Sequence, residues 1–233
     1  MKDRMKLSTA DVQAAYEDWK KTLVTPDGAR GCLRVCKPDS GSVTGSTVSE
    51  GIGYGMILAV YMDEQYLFDN LWNYARLFPD KNGIMNWEIH PDGSRVIGTG
   101  GATDGEEDMA WALVMASRKW GGSGTLSDTY LNYAIDLVNR IYEYEVEHDG
   151  DRKYMILPGD TWGNPDITNI SYFAPAYYRV FGKVTGKETL WNAIIDTNYT
   201  VLFNSLNASN KNEKNGLVPA WSSFAGQPVE AYP

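Results

Sequence analysis

Two short segments of the sequence combine acidic residues with closely spaced glycines. The first, residues 47–56, reads TVSEGIGYGM and has three glycines in the five positions after Glu50. A glycine costs about 1 kcal/mol relative to alanine inside a helix, so such a run indicates that something approaches the backbone closely. The simpler interpretation is that Glu50 only stabilises the positive end of a helix dipole, and for a lone glutamate this interpretation is preferred.

The second segment, residues 98–108, reads GTGGATDGEED. Thr103 or Asp104 is expected to cap a helix at this point. The three acids that follow would place negative charge on the first turn of that helix, and these are Glu106, Glu107 and Asp108. Capping accounts for the acids, but it leaves unexplained why a second acidic, glycine-rich loop enters an otherwise apolar helix.

Carboxylates held on loops, with aromatic side chains between them, are what hydrolysis of a glycosidic bond requires. One carboxyl group protonates the leaving oxygen, and another activates water or favours positive charge at the anomeric carbon. The chain contains 8 Trp and 15 Tyr, and composition alone favours a core role for these rings. Four of them lie in loops or at helix borders, where stacking on sugar rings is plausible: Trp87, Trp162, Tyr172 and Trp221.

The composition argues against several other functions. The formal net charge is −9 and no basic run occurs, which disfavours a nucleic-acid partner. The longest apolar stretch, Met56 to Met62, has seven residues, far short of the roughly 20 that span a membrane. Two cysteines and two histidines offer little material for metal chemistry, so we expect no metal and no cofactor. The opening residues, MKDRM, lack the apolar core of a signal peptide, which leaves a cytoplasmic or a mature secreted protein.

Apolar residues recur at helical spacing along most of the chain and predict about seven helices. The first is capped by Ser8 or Thr9, with an apolar stripe of Val12, Tyr16, Trp19 and Leu23. The others are predicted over 52–62, 64–78, 104–120, 127–144, 170–181 and 188–203. One long loop is predicted to hold a small β-hairpin with strands 85–89 and 94–97. Because strands and helices do not alternate, we expect an all-α fold of stacked helical hairpins.

The two acidic segments together resemble glycoside hydrolase family 8, which comprises bacterial endoglucanases, chitosanases, lichenases and xylanases built as (α/α)6 barrels. Residues 47–56 are similar to the segment that carries the general acid of the family. Residues 102–120 match the family signature at all but one restricted position, Glu106, where the family usually has Asp. We expect this departure to affect only a peripheral capping or substrate contact. Further likeness lies in residues 85–87, 159–162 and 171–175, so the resemblance runs from the first helix to the last residue.

The resemblance implies an inverting reaction on a β-linked polysaccharide. It assigns the general acid to Glu50 and gives an ionised Asp104 the task of holding the distorted sugar and favouring positive charge. Sugar-binding roles fall to Trp87, Trp162, Tyr172 and Tyr54, of which Trp87 and Trp162 are predicted to be platforms rather than core residues. A separate carboxylate would activate water about 6.5–9.5 Å from the acid. The resemblance also implies a secreted bacterial protein whose leader is absent from this sequence.

A barrel of six helical hairpins requires twelve helices, whereas the pattern predicts about seven. We therefore expect residues 1–233 to be a single catalytic domain that is truncated before its last hairpins. The resemblance places the water-activating Asp just beyond Pro233, with Glu230 as the fallback base within the chain. We expect a monomer, or a chain associated with the remainder of its own polypeptide.

Three alternatives stay open at this point. The substrate is expected to be cellulose-like, but chitosan, lichenan and xylan remain candidates within the family. A non-catalytic carbohydrate-binding relative would keep the aromatic residues. An unrelated helical-barrel protein, such as a sugar epimerase, would need histidine catalysis, for which His90 and His148 are poorly placed. A local Cys32–Cys36 disulfide also remains open.

Overall fold

The computed structural model describes residues 8–38, 43–162 and 166–230. Within them the chain forms seven α-helices: α1 (Thr9–Leu23), α2 (Ser49–Tyr61), α3 (Gln65–Ala75), α4 (Thr103–Lys119), α5 (Tyr130–Tyr144), α6 (Pro175–Thr185) and α7 (Glu188–Ser205). The described strands are short: β1 (Val24–Thr25), β2 (Arg34–Val35), β3 (Thr47–Val48), β4 (Glu88–Ile89), β5 (Val96–Gly98), β6 (Ile167–Asn169) and β7 (Trp221–Ser223). The predicted all-α class is confirmed. None of the described helices is both long and apolar enough to cross a membrane.

Consecutive helices pack as hairpins, α2 with α3, α4 with α5, and α6 with α7. The six largest fully buried side chains among the described residues are aromatic: Trp191, Tyr74, Tyr130, Tyr178, Phe68 and Phe181. Helix α2 also packs along α4, which contacts α6 in turn. The three inner helices therefore lie in the order α2, α4, α6.

A three-stranded antiparallel sheet brings the starts of α2 and α4 side by side. Strand β3 runs directly into α2, and β5 leads into α4. Strand β4 lies between them, with Val48 opposite Glu88 and Glu88 opposite Gly98. The predicted hairpin is confirmed as β4 and β5, whereas β3, at two residues long, was missed. The other strands pair antiparallel as β1–β2 and β6–β7.

Local capping signals explain where several helices begin. The Ser8 hydroxyl oxygen accepts from the Asp11 backbone N–H at 3.1 Å, and the Asp11 carboxylate accepts from the Ser8 backbone N–H at 3.2 Å. This reciprocal pair is a capping box, and it selects Ser8 over Thr9 as the cap. Of the predicted apolar stripe only Tyr16 is buried, since Val12 is 47% exposed and the other two rim a cleft.

Four predicted helices differ from the structure by three or more residues at a limit. Helix α2 begins at Ser49 rather than at 52, and α6 extends to Thr185 rather than to 181. Residues 170–172 form a separate 3₁₀ turn, and α6 begins only at Pro175, because proline disfavours helical conformation in the residue before it. Helix α5 begins at Tyr130, where the Thr129 hydroxyl oxygen accepts from the Asn132 N–H at 3.1 Å. Helix α3 ends at Ala75, before the expected limit.

The predicted cap of α4 is also wrong. Ala102 occupies the cap position and makes no side-chain cap. The Thr103 hydroxyl instead donates to the Leu157 carbonyl oxygen at 2.6 Å, and Asp104 Oδ1 accepts from the adjacent Gly105 N–H at 3.0 Å. A tertiary hydrogen bond to a distant loop thus replaces the local cap that the sequence pattern favoured.

The glycines of α2 allow α4 to approach its backbone. A β-carbon on Gly53 would lie 2.7 Å from Asp108 Cβ and 3.2 Å from the Gly105 carbonyl oxygen. A β-carbon on Gly105 would lie 2.6 Å from Ser49 Oγ and 3.0 Å from the Glu50 nitrogen. The close approach that the glycine run indicated is therefore made by a neighbouring helix.

We expect Gly53→Ala to lower the free energy of unfolding by about 1–3 kcal/mol, because the added methyl group overlaps α4. Gly51→Ala is the matched control, since its β-carbon would meet nothing closer than 3.7 Å. This control should be neutral or stabilising by up to about 1 kcal/mol, the usual gain of alanine over glycine within a helix. Urea denaturation of the two variants and the parent measures both effects. Equal stabilities for the two variants would contradict the packing role of Gly53.

Candidate active site

A cleft of about 470 Å³ opens where α2 and α4 begin. The residues at its centre are Ser49, Glu50, Gly51, Tyr54, Ala102 and Asp104. Aromatic rings line one part of it: Trp87 and Trp162 from loops, Tyr172 from a 3₁₀ turn and Trp221 from the start of β7. Residues from α1 and the β2 region line another part, namely Trp19, Leu23, Val35, Cys36, Lys37 and Pro38.

Glu50 and Asp104 meet in this cleft although 54 positions separate them in the sequence. Each is the second residue of its helix, Glu50 in α2 and Asp104 in α4. The β3–β4–β5 sheet places the two helix starts together, and Gly105 lets them approach at backbone distance. The structure thus brings the two sequence-predicted carboxylates into one site.

The environment of Asp104 alters its affinity for a proton, which bears on its expected role as an ionised carboxylate. Burial, and then the charge of Glu50, raise the pKa of Asp104 to about 7. Asp104 therefore holds its proton to a higher pH than an ordinary aspartate does.

Tyrosine hydroxyls surround the carboxylates. The Tyr54 hydroxyl donates to Glu50 Oε1 at 3.2 Å, and its side chain is 52% exposed to the cleft side. Deeper on α4, Asp108 accepts from the Tyr177 hydroxyl at 3.1 Å, and burial raises the pKa of Asp108 to about 6. The charges of both Asp104 and Asp108 act on Tyr54, whose pKa is raised to about 12, chiefly by burial.

The predicted platform residues lie at the cleft surface. The indole rings of Trp162 and Trp221 stack with centroids 5.1 Å apart and planes 13° apart. Tyr172 meets Trp221 edge-on at 6.4 Å. Trp87 and Trp162 are both half-buried and line the cleft, as a platform role requires, although sugar contact itself stays a prediction.

Some cleft residues were missed by the sequence reasoning. Trp19 was assigned to the apolar stripe of α1, but its ring stacks on Tyr16 at 5.7 Å and borders the cleft. Lys37 also lines the cleft, with its ammonium group 3.5 Å from the buried carboxylate of Glu88. Neither residue stands in a distinctive motif, so no local signal could have found them.

The acids in the first turn of α4 correct two expectations. Glu106 and Glu107 were taken as surface charges near the helix dipole, and Glu106 as a peripheral contact, yet both are buried. Glu107 Oε1 accepts from the Tyr178 hydroxyl at 2.6 Å. Helices α5 and α6 pack against α4 and cover this turn, and local periodicity does not reveal such coverage.

The fallback base and the two histidines are not among the described residues that line the cleft. Glu230 is exposed and is not among the described residues that line the cleft. His90 contacts Asp92 at 2.7 Å, and His148 contacts the Glu143 carbonyl oxygen at 3.1 Å. Cys32 and Cys36 are both free thiols. Among the described residues no group of three or more His, Cys, Asp and Glu is arranged to hold a metal ion.

The described part of the chain is therefore an array of stacked helical hairpins, with carboxylates and indole rings in a cleft where α2 and α4 begin. The chain belongs to glycosyl hydrolases family 8, whose family model matches residues 5–232. This confirms the resemblance inferred from the two acidic segments.

Known relatives extend the comparison. Endoglucanase A of Acetivibrio thermocellus is 41% identical over 224 residues, covering 95% of this chain and 45% of the relative. A β-1,3-1,4-glucanase from Paenibacillus sp. X4 superposes with a TM-score of 0.78 at 27% identity, covering 91% of this chain and 55% of that one. A cold-adapted family 8 xylanase in complex with substrate gives a TM-score of 0.80 at 24% identity, covering 98% and 60%.

These structures are (α/α)6 barrels, which confirms the predicted fold class. The chain spans about half the length of the curated relatives it matches.

Proposed function

We propose that this protein is an inverting, endo-acting glycoside hydrolase that cleaves β-1,4-linked glucan of the cellulose type. The observation that carries the proposal is the meeting of Glu50 and Asp104 at the starts of two adjacent helices, in a cleft lined by indole rings. The names of three relatives that are 41% identical, all endoglucanases, support the glucan substrate.

In the proposed reaction Glu50 donates its proton to the glycosidic oxygen while the bond from that oxygen to the anomeric carbon breaks. The bonding electron pair stays on the leaving oxygen, and positive charge develops on the sugar ring. The nearby Asp104, once ionised, favours that charge. Tyr54, which donates to Glu50, fixes the orientation of the acid.

Inversion further requires a carboxylate that takes a proton from water on the opposite face of the sugar. Glu50 and Asp104 are the two carboxylates among the described residues that line the cleft. The assignment of the base therefore remains a prediction, with Glu230 as the fallback within this chain. We further propose that the protein acts outside the cell, as its insoluble substrate requires.

The proposal is tested by reducing-sugar release from carboxymethylcellulose, lichenan, xylan and chitosan under the same conditions. We expect the highest rate on carboxymethylcellulose, with a rapid fall in viscosity because an endo-acting enzyme cuts inside the chain. A higher rate on one of the other polymers would reassign the substrate within the family. Binding of oligosaccharides without any release of sugar would contradict catalysis and favour a carbohydrate-binding role.

A further inference from the structure

Two glutamates lie buried directly behind the cleft without hydrogen-bond partners. Glu106 is in the first turns of α4, and Glu145 is the residue that follows α5. Both residues have 0% exposure. None of their four carboxyl oxygens has a hydrogen-bond partner among the described residues. Since a buried polar atom without a partner costs free energy, such a concentration in one place requires an explanation.

Gly101 shows that the two carboxyl groups point to the same place. A β-carbon on Gly101 would lie 2.7 Å from Glu145 Oε1 and 3.2 Å from Glu106 Oε2. The two oxygens are therefore within about 6 Å of each other, a range in which one negative charge strongly disfavours another. Any larger residue in place of Gly101 would occupy the space into which both carboxyl groups point.

The groups that face the pair do not neutralise it. The titratable groups that interact with it are acidic or phenolic: Asp104 and Glu107 of α4, Asp80 and Asp160 of neighbouring loops, and Tyr172. The Thr103 hydroxyl acts on Glu145, and the Ala102 and Glu106 backbone acts on Glu106, and both lower the pKa without outweighing burial. Lys81 acts on Asp160 rather than on the pair. Burying two negative charges without a positive partner costs more free energy than protonating one of them. At least one of the two carboxyl groups must therefore be neutral.

The proton affinities agree with this geometry. Burial, and then the charge of Glu145, raise the pKa of Glu106 well above its ordinary value. Burial, and then the charge of Asp160, raise the pKa of Glu145 in the same direction.

We propose that Glu106 and Glu145 share a proton in the folded protein, and that this pair positions the start of α4, which carries Asp104. One proton held between the two carboxyl groups removes the repulsion of two buried negative charges where the start of α4 lies near the end of α5. Gly101 also links the pair to the loop that carries Asp160 and Trp162, because the Gly101 N–H donates to Asp160 Oδ1 at 2.8 Å. The positioning role rests on the proposed function, whereas the shared proton does not.

The proposal has a definite pH dependence. A carboxyl group whose pKa is raised on folding holds more protons in the folded state than in the unfolded state. Stability is therefore fully present below the ordinary value of 4.5 and falls as the pH rises toward the raised pKa. Glutamine resembles the protonated acid in shape and carries no charge. A single Glu→Gln change should therefore remove the loss of stability at high pH.

The deciding experiment is thermal unfolding of the parent, Glu106→Gln and Glu145→Gln at pH 5 and pH 8. The measured quantity is the unfolding midpoint temperature of each variant minus that of the parent. A packing effect of the substitution is the same at both pH values, so it cancels when the two differences are compared. We expect this difference to rise by at least about 3 °C from pH 5 to pH 8 in both variants. Glu143→Gln, at an exposed position two residues before Glu145, is the matched control and should show no change. An unchanged or falling difference in both glutamine variants overturns the shared proton.

Infrared spectroscopy gives an independent measurement, because a protonated carboxyl group has a carbonyl stretch distinct from that of a carboxylate. At pH 7 each glutamine variant should lose the band of one protonated carboxyl group, and Glu143→Gln should keep it. An unaltered band in both variants contradicts the proposal.

The positioning role is tested by calorimetric binding of cellohexaose. The parent should lose affinity between pH 6 and pH 9 more steeply than Glu106→Gln. If the parent and Glu106→Gln show the same dependence of cellohexaose affinity on pH, the pair has a structural role alone and does not position Asp104. If the parent binds no cellohexaose at any pH, the proposed function fails, while the unfolding measurement still decides the shared proton.

Discussion

Glu50→Gln is expected to reduce turnover of β-1,4-glucan by about a hundred- to ten-thousand-fold, the usual contribution of a general acid. Glutamine keeps the shape of the side chain and can still accept from the Tyr54 hydroxyl, but it has no proton to give to the glycosidic oxygen. Oligosaccharide binding should therefore survive. Initial rates on carboxymethylcellulose and calorimetric binding of cellohexaose together measure the two effects.

Glu188→Gln is the matched control for this variant. Glu188 is also an acid in the first turn of a helix, but it is exposed and is not among the described residues that line the cleft. If Glu50 only stabilised a helix dipole, both changes would lower the free energy of unfolding by about a few tenths of a kcal/mol at most, and both variants would keep the same turnover. Equal rates for the two variants would return Glu50 to that simpler role.

Asp104→Asn is expected to lower turnover by about a hundredfold or more. This is the usual loss when an electrostatic interaction that stabilises the transition state is removed. The neutral amide can still accept from the Gly105 N–H, so local structure should persist, but it cannot favour positive charge on the sugar. Asp11→Asn, in the exposed first turn of α1, changes the same residue type at a remote helix start. This control should keep the parental rate, and a near-parental rate for Asp104→Asn would contradict the catalytic role.

The pH profile provides a second measurement for Asp104. Since its pKa is about 7, the carboxylate form that favours the transition state declines by about tenfold per pH unit well below that value. The fall in rate toward acidic pH should therefore be smaller in Asp104→Asn than in the parent. Stability should respond in the opposite sense, because a raised folded-state pKa makes the parent lose stability as the pH rises from its ordinary value of 3.8 through about 7. The Asn variant should therefore gain stability relative to the parent over the same range.

Much of this protein follows from the sequence because the signals concerned are local. Helical spacing of apolar residues located all seven described helices, since one turn of helix repeats within a few residues whatever surrounds it. The acidic segments around Glu50 and Asp104 were recognisable for the same reason, as were the loops that carry Trp87 and Trp162. Helix limits were less certain where a tertiary contact replaced a local cap, as Thr103 illustrates.

The tertiary structure alone decided which charges are buried and what they meet. Glu106 and Glu107 follow Asp104 in a pattern that is typical of an exposed first turn, yet α5 and α6 cover both. Trp19 follows the apolar stripe of α1 but reaches the cleft. The proton on Asp104 depends on burial and on Glu50, which belongs to a different helix. Burial and electrostatic coupling act between residues that are distant in the chain, so neither leaves a periodic signal in the sequence.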